Sequence, residues 1–82
     1  MKITTQEFIN MVADVLEVES QNVTIDTAMG DLEEWDSLGQ LGILMKLDEI
    51  LGGAASGLRE LAEAGSIEQF ISVLKNASLH SD

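Results

Sequence analysis

The 82-residue chain has no cysteine and no proline. Without thiols it has neither disulfide staples nor thiolate metal sites, so ordinary packing must carry the fold. Without proline no apolar run meets an obligatory break, which favours a plain helical bundle. Cations are also scarce: four Lys plus Arg stand against fifteen Asp plus Glu, a formal net charge of -11. Such a surface repels phosphate backbones and anionic headgroups, which argues against nucleic acid as a partner, and it attracts basic protein patches. No apolar stretch approaches bilayer length and no basic start precedes an early apolar block. No stable membrane insertion is therefore expected, and the expected location is the cytoplasm.

What is present suits one small domain. A chain of this length hides only about 60 to 65% of its unfolded surface, so the core is small. A hydrophobic share of 45% nonetheless argues against disorder. Thr4 and Glu7 fit a T-x-x-E capping box, and Ile3 with Phe8 occupies the staple positions around it. Phe8, Val12, Val15 and Leu16 then follow i, i+4, i+7, i+8, one face of a helix over residues 5–16.

Residues 17–36, EVESQNVTIDTAMGDLEEWD, carry no sustained period. A loop this long needs a job or its own anchors. Val18, Val23, Ile25, Met29, Leu32 and Trp35 are spaced so that an ordered loop lays several of them over the helices, with at most an irregular turn among them. Trp35 is expected as a half-buried plug beside Ser37. A second helix starts at Asp36 or Ser37 and runs to Leu51, where Gly52 and Gly53 stop it. After the loop GGAASG, a short helix is expected over 58–64. Ser66 and Gln69 then form a second capping box ahead of Ile67, Phe70, Ile71 and Leu74. The expected fold is all-α, a small four-helix bundle of three main helices and one short one with a long first loop. The domain covers residues 1–76, and 77–82, including His80, read as a frayed tail.

The second helix has two apolar faces at about 100° per residue. Ile43, Leu47, Ile50 and Leu51 make a core stripe; Leu38, Leu41 and Met45 lie almost opposite. The second stripe either docks a partner or is covered by the long loop, and docking is the expectation. Methionine suits a surface that meets several partners. Gly39 and Gly42 lie between the faces, and glycine in a helix costs about 1 kcal/mol relative to alanine. Close approach of a partner, of the loop or of a flexible ligand would offset that cost.

With Asp36 as N-cap, Ser37 stands at the first helical position, where free N–H groups and the helix dipole favour an anion such as an esterified phosphate. The plain alternative is a capping pair. A nucleophilic serine needs a base and an orienting group behind it. The lone histidine lies in the tail, Asp36 is occupied as a cap, and no glycine-rich elbow surrounds Ser37. Asp31, Glu33 and Glu34 read as a solvated acidic loop, because Ala28 and Gly30 stand where an EF-hand needs oxygen ligands; no metal site is expected.

These residues carry a family likeness. The Asp36-Ser37-Leu38 motif in its WDSL form, at a helix start after a long loop in a small acidic helical chain, resembles the acyl carrier proteins. The likeness spans nearly the whole chain, from the capped first helix through VTIDTAMGDL to SIEQFISVL. It implies a stand-alone, monomeric, non-catalytic carrier. In it a phosphopantetheinyl transferase would attach the phosphopantetheine arm of coenzyme A to Ser37, and the arm's thiol would hold an acyl group as a thioester. Leu38, Leu41 and Met45, with Asp48 and Glu49, match the positions that meet loading and processing enzymes through their basic patches. Ile43, Leu47, Leu51, Phe70, Ile71 and Leu74 would line an interior that shelters acyl chains in some relatives. Gly39 and Gly42 depart from the acids common there in fatty-acid-synthesis carriers, which points to a specialised pathway in lipid or secondary-metabolite biosynthesis. An aminoacyl or peptidyl carrier and an unmodified interaction module docking through Leu38, Leu41 and Met45 are the alternatives.

Overall fold

A computed structural model of the chain describes residues 2–82, and of Ser56 the backbone alone. Four α-helices and no strand are found among the described residues: α1 Thr5–Leu16, α2 Ser37–Ile50, α3 Arg59–Glu63 and α4 Ile67–Asn76. None is long and apolar enough to cross a membrane. The capping box of α1 forms reciprocally, Glu7 N–H donating to Thr4 Oγ1 and Thr4 N–H to Glu7 Oε1. Ile3 and Phe8, the staple pair, are both buried. Glu17, in the left-handed region at φ 58°, closes the helix. Its buried face is broader than the expected stripe, adding Ile9, Met11 and Ala13, while Val15 is only half-buried.

The segment between α1 and α2 is ordered by backbone hydrogen bonds and by apolar anchors. Met29 N–H donates to Gly65 O at 2.7 Å and Ile67 N–H to Thr27 O at 3.0 Å, tying the segment to the start of α4. A 3₁₀ turn, Ser20–Asn22, is its only helical piece among the described residues. Val23 and Trp35 are buried, and Val18 and Leu32 pack against the core. Ile25 and Met29 stay exposed. Trp35 is not half-buried but fully enclosed, at 1% exposure.

Helix α2 ends at Ile50 with Leu51 as its C-cap, followed by Gly52 and Gly53 in the left-handed region that lets the chain turn. The stretch expected as plain loop forms a 3₁₀ turn, Ala54–Gly57, seated by buried Ala55. Helix α3 is a residue shorter at each end than expected. At α4, Ser66 caps Gln69 N–H, but Gln69 reaches back to Gly65 N–H at 2.7 Å, so only half of the second capping box forms. That bond satisfies a donor ahead of the helix that no helical carbonyl serves. Phe8 and Phe70 meet at 5.1 Å between ring centroids in the middle of the core.

The largest correction concerns residues 77–82. They are not frayed: Ser78, at φ 61°, turns the chain back along the start of α1. Ile3 N–H donates to Leu79 O at 2.9 Å and Ser81 N–H to Ile3 O at 3.2 Å. His80, with its side chain 3% exposed, places Nε2 2.8 Å from Thr5 Oγ1. Both oxygens of the Asp82 carboxylate accept from Thr5 N–H at 3.2 Å. Hydrogen bonding to Thr5, first through its side chain, holds the exposed Asp82 carboxyl below the ordinary carboxylate range. The physical reason is the first turn of α1, whose N–H groups lack helical partners and find an acceptor in the tail.

Candidate functional site

Ser37 opens α2 and is exposed. Asp36 is extended and accepts from Gly39 N–H at 2.9 Å, so the acid caps the helix and the serine side chain is left to solvent. The Ser37 hydroxyl makes no hydrogen bond among the described residues. The stripe beside it is uncovered: Leu38 is 79%, Leu41 53% and Met45 65% exposed. Opposite, Ile43 and Leu47 are fully buried, Leu51 is buried, and Ile50 is half-buried. The two-faced helix is therefore real, with one face in the core and one in water.

The glycines have a packing reason. A Cβ on Gly39 would lie 2.5 Å from Glu34 O and 2.8 Å from Leu16 Cδ2; one on Gly42 would lie 3.0 Å from Val15 Cγ1. Thus the end of the long segment and α1 both press on the side-chain-free strip of α2, which of the three expected causes selects the loop, with α1 added.

Sequence reasoning passed over Gln40. Its Oε1 accepts from Trp35 Nε1 at 2.8 Å, and its Nε2 donates to Ala64 O, just beyond α3, at 2.7 Å. One side chain thus joins three parts of the fold. The available signal was the buried indole, which needs an acceptor, and an amide five residues on.

Charge around the site is uneven. Glu33, Glu34 and Asp36 crowd the start of α2, all exposed. Asp31 accepts from Ala28 N–H at 2.9 Å and braces the turn before them. Farther along, Glu49 pairs with Lys46 at 3.5 Å, and half-buried Asp48 is also engaged within the protein. No family model matches the chain, and comparisons with curated proteins and with solved structures find no match. The site is thus read from its own geometry.

An open groove of about 290 Å³ lies between α2 and α3, lined mainly by apolar side chains, Leu44, Met45, Leu58 and Leu61 among them, with Asp48 and Arg59 also in its lining. Met45 belongs both to this groove and to the exposed stripe. The eight helical steps from Ser37 to Met45 span about 12 Å along the axis.

Proposed function

We propose that the protein is an acyl carrier, modified at Ser37 with phosphopantetheine by a separate transferase and serving a specialised biosynthetic pathway. The observation that carries this reading is a solvent-open serine on the first turn of an Asp-capped helix, followed at once by an uncovered apolar stripe. The site fits the group: the hydroxyl is accessible, Asp36 keeps Gly39 N–H occupied, and the first-turn N–H groups and helix dipole favour the anion of a phosphodiester there. Once attached, the group supplies a thiol on a flexible arm, which a chain without cysteine lacks.

The remaining roles fall to the chain itself. Leu38, Leu41 and Met45 give partner enzymes an apolar seat, and the acids at the start of α2 draw basic patches toward Ser37. Tethering raises the effective concentration of the cargo at each enzyme without any new contact. The groove beside Met45 offers apolar cover for the outer part of a short acyl group. The stretch Gly39 to Lys46 carries no acid, so fewer salt bridges form beside the arm than in fatty-acid-synthesis carriers; this supports the specialised pathway.

Incubation with coenzyme A, Mg²⁺ and a broad-specificity phosphopantetheinyl transferase should add one phosphopantetheine by intact-mass analysis, and Ser37→Ala should add none. An unchanged wild-type mass, with a control carrier modified in the same tube, would leave the interaction module, which the exposed stripe supports without any modification. Met45→Glu tests the stripe. It should slow modification several-fold while leaving thermal unfolding close to the parent's, since surface substitutions usually stay within about 0.5 kcal/mol. A large loss of stability would mean that this face is packed in solution. Loading with acyl and aminoacyl groups by their respective enzymes separates the acyl carrier from the aminoacyl alternative.

A further inference from the structure

Around Asp36 as N-cap, Trp35 is N′ and Gln40 is N4. These are the positions that a hydrophobic staple joins to set the angle at which the chain meets a helix. Here they are joined by a hydrogen bond between indole and amide, with the indole buried at 1% exposure. Ser37 lies inside the short loop that this bond closes. The turn it closes would otherwise be weak, because Gly39 has low helix propensity and first turns fray. The same amide is held from its other side by Ala64 O, so the clamp is fixed to the bundle.

We propose that Gln40 is a positioning residue for Ser37: through its bond to Trp35 it keeps the first turn of α2 formed, so that the hydroxyl meets a modifying enzyme in one orientation. The consequence for modification rests on the carrier reading; the ordering of the turn does not. The Gln40 amide makes its hydrogen bonds to Trp35 and Ala64 O, and none to the Ser37 hydroxyl. Its removal should therefore leave docking intact and spoil geometry at the reacting atom.

The test uses three variants of the full chain. Gln40→Met removes both bonds at similar size. Gln40→Glu keeps an acceptor for the indole and loses the donor to Ala64. Ile71→Val trims the core within α4 and serves as a stability control. With the transferase, at a temperature where circular dichroism shows all of them folded, Gln40→Met should lower kcat about tenfold with KM held within about twofold. Gln40→Glu should recover most of that loss, and Ile71→Val should show none. Amide hydrogen exchange at Gly39 and at residue 40, whose N–H groups both donate to Asp36, should accelerate about tenfold in Gln40→Met and little in Gln40→Glu.

A Gln40→Met enzyme substrate with unchanged kcat, or a Gln40→Glu variant as slow as Gln40→Met, would overturn the proposal. If the wild type itself gains no mass, the carrier reading fails, and exchange alone decides the clamp: equal rates in Gln40→Met and wild type would sink it.

Discussion

Trp35→Ala should cost about 3 to 5 kcal/mol of folding stability, the range for emptying a large aromatic site in a core. The indole is enclosed at 1% exposure and its N–H is bonded to Gln40, so truncation removes both the packing and one partner of a hydrogen bond. The Gln40 amide is still held by Ala64 O, so its Oε1 is left without the indole donor, which adds to the cavity cost. Domains of this kind stand on about 5 to 15 kcal/mol in total. The variant should therefore unfold at a much lower urea concentration, followed by circular dichroism because the only tryptophan is gone. Trp35→Phe keeps most of the apolar volume and should lose clearly less. A Trp35→Ala midpoint near the parent's would mean that the segment before Ser37 is not seated as described.

Gly39→Ala sets two effects of opposite sign against each other. Helix propensity alone gives alanine an advantage of up to about 1 kcal/mol. Against it stands a Cβ placed 2.5 Å from a backbone oxygen, Glu34 O, and 2.8 Å from Leu16 Cδ2. Overpacking of this kind costs about 1 to 3 kcal/mol, and a backbone atom cannot rotate away. The clash wins, so Gly39→Ala should destabilise. At Gly42 the nearest atom is the tip of Val15 at 3.0 Å, which yields more easily. Gly42→Ala should stay within about 1 kcal/mol of the parent. Urea unfolding of both decides the matter; a stabilised Gly39→Ala would show that the segment does not press on α2.

What the sequence made legible were the parts governed by local rules. The caps at Thr4, Asp36 and Ser66 and the 3.6-residue period placed α1, α2 and α4, and the doubled apolar pattern of α2 separated a core stripe from an exposed one. Ser37 fell where the motif put it, at the open end of α2. The parts missed depend on contacts distant in the chain. Nothing local marks that Ala64 O will need Gln40, or that Thr5 N–H will be served by Asp82. The position of 77–82 at the end of the chain suggested fraying, yet its carboxylate serves the open end of α1 and its Leu79 carbonyl the Ile3 N–H just before it. Of the apolar residues in 17–36, Val18, Val23, Leu32 and Trp35 meet the core while Ile25 and Met29 stay exposed, a division that spacing alone does not make.

The strap formed by the tail also sets how the domain bears load. Ile3 and His80 run side by side in the same direction, as in a parallel strand pair. A pull on the two ends acts along that pair, so the bonds joining Ile3 to Leu79, Ser81 to Ile3 and Thr5 to Asp82 are strained together in shear. Peeling them one after another would take less force. Tethered at both ends inside a longer assembly, the bundle would resist tension first at this seam, while the serine-bearing helix stays slack.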